Sequence, residues 1–263
     1  MGKIKAVFFD IDGTLVSFKT HRIPPSTLDA VAALRSRGIK VYIATGRPVP
    51  FIDNLGELEY DGMITVTGAH CFTSGGEVIY HQSVSAESVG RVMGHLTHGA
   101  DAYPVIFVCS DEMFITELNE DVDAVARLLD IKMPPVRPAS YACGKDVLQL
   151  ISFFKADREP HFMSALMPDC TSMRWHPFFT DVIAGGVDKS VGIDKVLAYE
   201  GLSLDEAMAF GDGGNDMAML SHVPCGIAMG NACEELKEVA AYVTASVDED
   251  GVARALRHFG LIN

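Results

Sequence analysis

No apolar run in this chain approaches the roughly 20 residues that a membrane-spanning helix needs, so a membrane protein of that kind is not expected. Basic residues are also scarce. Against 35 Asp and Glu stand 21 Lys and Arg, a formal net charge of -14, and that field repels nucleic acid and anionic lipid as partners. The six cysteines (Cys71, Cys109, Cys143, Cys170, Cys225, Cys233) include no Cys-x-x-Cys pair, so neither a zinc site nor a redox pair is signalled. Buried or inert thiols are expected instead. Repeats and low-complexity segments are missing. The opening Met1-Gly2-Lys3-Ile4-Lys5 runs into an apolar stretch that stops at Phe9, too short for a secretory leader. Cytoplasm is the expected compartment.

What is present is apolar material for a core: hydrophobic residues make up 48% of the 263 positions and charged ones 21%. That length predicts two domains. A negative protein that binds a negative ligand such as phosphate needs a local reversal of sign, from a cation, a lysine or backbone N–H groups.

Short apolar runs ending at polar or glycine-rich turns read as buried parallel strands: Ile4 to Phe9, Lys40 to Ala44, Met63 to Val66, Ala207 to Phe210 and Cys225 to Ala228. Helices lie between them. Pro24-Pro25-Ser26 opens the first, Gly38 stops it, and others are expected at Val191 to Tyr199, Asn215 to Leu220, near Glu234 and near Gly251. This alternation predicts an α/β fold with a Rossmann-like parallel-sheet core. The middle third differs. Ser74-Gly75-Gly76-Glu77 reads as a hairpin turn, and Val105 to Val108, Met113 to Thr116 and Val147 to Phe153 read as strands of a separate sheet, with helices at Ala86 to His98 and Glu120 to Leu129. The expected domains are a core at 1–82 and 184–263, and an inserted α/β domain at 83–183.

In an open parallel sheet the ligand site lies beyond the carboxyl ends of the strands. Asp10 follows Val7-Phe8-Phe9, Thr45-Gly46-Arg47 follows Val41-Tyr42-Ile43-Ala44, and Asp212 follows Met208-Ala209-Phe210-Gly211. Asp10 and Asp12 stand two apart where a strand ends, so both carboxylates can face one side, as a nucleophile and a proton donor. Gly13 lets the chain turn, and Thr14 adds a hydroxyl. Asp-x-Asp-Gly-Thr is expected by chance in under roughly 1 in 100 chains of this length.

In Gly211-Asp212-Gly213-Gly214-Asn215-Asp216, two carboxylates are close enough for one cation, and magnesium, which prefers oxygen ligands, is the expected ion. The competing reading is an acidic helix cap with Asn215 at its head; otherwise Asn215 is a candidate phosphate contact. Lys189, at a helix start, can hold the nucleophile and neutralise phosphoryl oxygens, against the alternative of a surface lysine. Thr45, Gly46 and Arg47 offer donors and close backbone approach to a phosphate, or form a polar turn. Gly185-Gly186-Val187-Asp188-Lys189-Ser190 is no phosphate loop, because Asp188 stands where glycine is required.

These motifs, in this order, closely resemble the haloacid dehalogenase superfamily, and Ala228-Met229-Gly230-Asn231-Ala232 with Asp248-Glu249-Asp250-Gly251-Val252 resembles its Cof-like type-IIB phosphatases. The resemblance spans essentially the whole chain. It implies a cap closing over the core, and small phosphorylated metabolites, usually sugar phosphates, as substrates. It further implies Asp10 as nucleophile, Asp12 as acid/base, Thr45 and Lys189 as phosphoryl binders, and Asp10, Asp212 and the Asp12 carbonyl as magnesium ligands, with Asp216 orienting the metal site. One position departs from the family. Thr67 in Val66-Thr67-Gly68-Ala69 stands where asparagine is common, with shorter reach and different hydrogen bonding.

The chemistry expected is magnesium-dependent hydrolysis through an aspartyl-phosphate, with transfer to a sugar hydroxyl or a phosphoaspartate signalling module as the rival readings. Substrate choice is expected in the inserted domain. There Arg174-Trp175-His176-Pro177-Phe178-Phe179-Thr180-Asp181 either faces a sugar or packs the domain's own core.

Overall fold

The computed structural model describes residues 3–99, 102–129 and 131–263. The chain divides into two compact units, residues 1–81 with 188–263, and residues 82–187.

The first unit is an eight-stranded sheet. Its strands are β1 (Ala6–Phe9), β2 (Lys40–Ala44), β3 (Gly62–Thr65), β4 (His70–Thr73), β5 (Val78–His81), and then, after the second unit, β11 (Ala207–Gly211), β12 (Cys225–Ala228) and β13 (Tyr242–Val243). They lie in the order β13-β12-β11-β1-β2-β3-β4-β5, parallel as far as β3 and antiparallel beyond it. The β4–β5 hairpin, turned at Ser74 to Glu77, therefore extends this sheet. Strand alternation explains the layering, since neighbouring side chains point to opposite faces. Val7, Phe9, Val41 and Ile43 pack on helices α1 (Pro25–Ser36) and α8 (Gly251–His258). Ala6, Phe8, Tyr42 and Ala44 pack on α5 (Lys189–Glu200), α6 (Met217–His222) and α7 (Glu234–Val239). With both faces covered, the central strands are continuously apolar.

The second unit carries a five-stranded antiparallel sheet in the order β7-β6-β8-β10-β9. Its strands are β6 (Val105–Cys109), β7 (Met113–Ile115), β8 (Val147–Ser152), β9 (Cys170–His176) and β10 (Phe179–Ala184), and its helices α2 (Ala86–His98), α3 (Glu120–Leu129) and α4 (Glu159–Leu166). Val89 and Val92 of α2 and Phe162 of α4 cover Val105, Phe107, Leu150 and Val182 on one face. Of the stretch 174–181, the Trp175 side chain lies outside the described residues. Arg174 donates to Glu159 and to the Phe154 carbonyl, and His176 stacks on Phe179, so these residues pack the unit internally.

Candidate active site

β1 and β11 are paired in register, and the Asp10 N–H donates to the Phe210 carbonyl at 3.0 Å, which sets the Asp10 and Asp212 segments side by side. The turn after Asp10 is tight. The N–H groups of Leu15 and Val16 both donate to the Ile11 carbonyl, and Gly13 adopts φ +79°. A Cβ there would lie 2.0 Å from Asp212 Oδ2, so only glycine lets the two loops approach this closely.

Lys189 is fully buried, its Nζ 2.7 Å from Asp10 Oδ1 and 2.5 Å from Asp216 Oδ1. It is no surface lysine. The cause is local: Asp188 caps α5, its Oδ1 accepting the N–H groups of Ser190 and Val191 at 2.8 and 3.1 Å. That starts the helix at Lys189. The residue that rules out a phosphate loop is thus the one that sets where the lysine begins.

Asp216 is also fully buried. Its Oδ2 accepts the N–H groups of Asp212 and Gly213, each at 3.0 Å, while its Oδ1 faces Lys189. The capping side chain of this loop is therefore Asp216. Asn215 caps nothing: it precedes α6 by two residues, is exposed, and makes no hydrogen bond to a described residue.

Asp212 Oδ1 faces the Thr14 hydroxyl at 3.5 Å and Oδ2 accepts from Asn231 Nδ2 at 3.0 Å. Thr45 is buried after β2, its N–H donating to the Ile64 carbonyl and its Oγ1 accepting the Arg47 N–H at 3.1 Å. Arg47 points elsewhere than a phosphate contact would suggest. Its Nε and Nη2 donate to Asp12 Oδ2 and Oδ1, both at 2.7 Å, because a planar guanidinium matches a carboxylate in two parallel bonds.

The acidic groups repel one another. Burial first, and then the charge of Asp216, pushes the Asp10 carboxyl well above the usual carboxylate range, with Lys189 pulling it down. Asp212 is pushed up to about 7 by burial and Asp216, opposed by Lys189 and Asn231. Burial also works against the Lys189 ammonium, but Asp10 and Asp216 outweigh it and raise its pKa. Oxygens of Asp10, Asp212 and Asp216 lie within 4.8 Å of one another, an all-oxygen donor set with one ammonium for three carboxylates. Such a set fits a hard divalent cation.

One functional residue escaped the sequence reading. Asn231, after β12, uses all of its amide: Nδ2 donates to the Gly13 carbonyl at 2.8 Å and to Asp212 Oδ2, and Oδ1 accepts the Val247 N–H at 2.9 Å. The Met-Gly-Asn-Ala motif behind a strand was its only signal. Asn231→Ala is expected to weaken divalent-cation binding about 10-fold, measured by calorimetry, because the Asp212 carboxylate loses the group that aims it. Unchanged affinity would count against this role.

A lysine-held carboxylate, a carboxylate triad and a second carboxylate two residues on, all at the carboxyl ends of parallel strands, define a phosphoryl-handling enzyme. The family profile of haloacid dehalogenase-like hydrolases matches residues 7–256. YkrA of Bacillus subtilis (strain 168) is 36% identical over 262 residues, covering 98% of each chain. The solved structure of the HAD subclass IIB sugar phosphatase BT4131 is 44% identical with TM-score 0.88, over 98% of this chain and 100% of that one. Another, which shows conservation of a trigonal-bipyramidal intermediate in a phosphoryl-transfer superfamily, is 42% identical with TM-score 0.89, over 98% and 100%. The chain belongs to the haloacid dehalogenase superfamily, in its Cof-like type-IIB group, and is a phosphatase.

Proposed function

We propose that this chain is a magnesium-dependent phosphatase of small phosphorylated metabolites, foremost sugar phosphates, acting in the cytoplasm through an aspartyl-phosphate on Asp10. The observation that carries this reading is the state of Asp10: Oδ1 is held by Lys189, and Oδ2 makes no hydrogen bond to a described residue. That oxygen is the nucleophile. It attacks phosphorus in line, the ester P–O bond breaks, and Asp12 gives its proton to the leaving alcohol oxygen. Water then attacks the same phosphorus, Asp12 takes the water proton, and Asp10 and inorganic phosphate are released. Lys189 and Thr45 meet charge on the equatorial oxygens. Because Arg47 occupies both oxygens of Asp12, proton donation requires that pair to open.

Asp10, Asp212 and the Asp12 carbonyl would hold Mg2+, with Asp216 orienting the loop that carries Asp212. The bound ion supplies positive charge between the nucleophile and the phosphoryl oxygens. Sugar phosphates are favoured by the likeness to BT4131, and six cysteines without paired spacing suit a reducing compartment. No helix among the described residues is long and apolar enough to cross a membrane. The reading is tested by assaying phosphate release from a panel of phosphorylated metabolites with and without Mg2+. A flat profile at background rates would overturn it.

Stability gives an independent readout of the cation. A carboxyl with a raised folded-state pKa stabilises the fold fully below its unfolded pKa and loses that contribution as pH rises through the folded value, about 7 for Asp212. Chelator-treated protein is therefore expected to melt lower at about pH 8 than at about pH 5 from this source. Mg2+ should raise Tm by about 5 °C at the higher pH and by much less at the lower one. Equal increments at both would contradict it.

A further inference from the structure

The motif Asp248-Glu249-Asp250 takes no part in phosphoryl transfer, yet it is tied to three distant segments of the core. Val247–Glu249 form a single helical turn, closed by the Ser246 hydroxyl donating to Glu249 Oε2 at 2.7 Å and the Gly251 N–H donating to the Ser246 carbonyl at 3.0 Å. Its far end is fixed to α1. Asp250 adopts φ +63°, a region that short polar side chains tolerate, and its Oδ1 accepts the Ser26 hydroxyl at 2.5 Å.

Two arms leave this post. The first is the Val247 N–H, which donates to Asn231 Oδ1 at 2.9 Å and so orients the amide whose Nδ2 holds the Gly13 carbonyl and Asp212 Oδ2. The second is the Asp248 carboxylate. Its Oδ1 accepts at 2.6 Å the hydroxyl of Ser17, a residue only 1% exposed, and its Oδ2 pairs with Lys19 Nζ at 2.8 Å. Ser17 in turn shapes the loop after β1: its Oγ accepts the N–H groups of Lys19 and Thr20 at 3.1 and 3.3 Å, and its own N–H donates to the Arg22 carbonyl at 3.1 Å. Between Ser17 and Lys19 stands Phe18, 61% exposed. Its ring edge and Asp212 Oδ2 crowd the point where a Cβ on Gly13 would stand, at 2.6 and 2.0 Å. A ring left that open is held by its anchored neighbours, since burial contributes little to its placement.

Both arms therefore end on one oxygen. Asn231, the Gly13 backbone and Phe18 surround Asp212 Oδ2, and Oδ1, which faces only the Thr14 hydroxyl at 3.5 Å, is the oxygen left for a cation. Resting on the cation reading, we propose that Asp248 is a positioning residue for divalent-cation binding: through Ser17 it keeps the loop after β1 closed against Asp212, so that this carboxylate presents Oδ1. Of the two Asp248 contacts, the one to Ser17 carries the role. Lys19 is 79% exposed, and ion pairs open to solvent contribute little. A buried hydroxyl donating to a carboxylate makes a charge-assisted bond, and its loss leaves Ser17 without a partner for its proton.

The test is calorimetric titration of the substrate-free, full-length chain with Mg2+. Asp248→Ala and Ser17→Ala are each expected to weaken binding about 5-fold, and Asp248→Asn, which still accepts from Ser17, by less than about 2-fold. Lys19→Ala should leave the affinity where it is. Combining Asp248→Ala with Asn231→Ala should cost less than the product of the two single losses, because both act on the same carboxylate. Should Asp248→Ala fail to fold, Ser17→Ala carries the same expectation. A residue that serves only the fold would lower Tm in chelator and leave the Mg2+ affinity of the folded variant unchanged. That result would overturn the proposal, as would fully independent losses in the double variant. If the wild-type chain itself binds no Mg2+, the cation reading fails and takes this inference with it.

Discussion

Asp10→Asn is expected to lower phosphate release by about 10⁴-fold or more, while metal-free protein of the same variant melts no lower than wild type. The two outcomes have one cause. An asparagine amide keeps the shape and can still accept from Lys189 through its oxygen, but it offers no anionic oxygen to attack phosphorus. In the folded protein the Asp10 charge is opposed by burial and by Asp216, so removing it relieves a cost that the metal-free fold otherwise bears. Phosphate release and thermal melts in chelator check both halves. Near-wild-type hydrolysis by the variant would mean that the nucleophile has been misassigned.

Lys189→Met should be the most damaging substitution to stability. The methionine fits the volume, but Asp10 and Asp216 are left as buried carboxylates without the ammonium that both now contact, at 2.7 and 2.5 Å. Breaking a buried pair in this way costs about 3–5 kcal/mol, and the expected fall in Tm is about 10 °C. Turnover should fall by at least about 10²-fold, because charge on the transferring group loses its fixed cation. Adding Asp10→Asn to Lys189→Met should restore part of the lost stability, since one stranded charge is removed. Denaturant melts of the two single variants and the double variant would show it. Strict additivity would deny the coupling.

The parallel core was legible because its strands are apolar on both faces and end abruptly at chemistry: Asp10, Thr45 and Asp212 each follow such a run. Other elements were not. Strands β9 and β10, with Thr171, Ser172, Arg174 and Thr180 among their residues, carry too many polar groups for a hydrophobic pattern to mark them. Strand β13 has two residues and no period at all. In the site, the gathering of Asp10, Lys189, Asp212 and Asp216 could be anticipated from their strand ends and helix starts. The direction of Arg47 could not, because a long side chain turns to whichever charge tertiary structure brings nearest, here Asp12. Thr67 was visible as an unusual residue, but its left-handed backbone exists only once Thr45 and Arg47 pin the turn. Asp248 accepts from Ser17 at 2.6 Å and pairs with Lys19, fastening the loop beyond Gly13 through a contact no local pattern announces.

Lys189 and Asp10 stand 179 residues apart in sequence, and β1 lies between β2, made soon after it, and β11, made near the end. During translation at about 5–20 residues per second, Asp10, the proposed nucleophile, emerges on the order of ten seconds before Lys189. Until then one edge of β1 has no neighbour, and Asp10 has no lysine. On the proposed mechanism, the growing chain carries an inert aspartate through most of its synthesis, and the assembled pair of Asp10 and Lys189 forms only when the last third arrives to close the sheet.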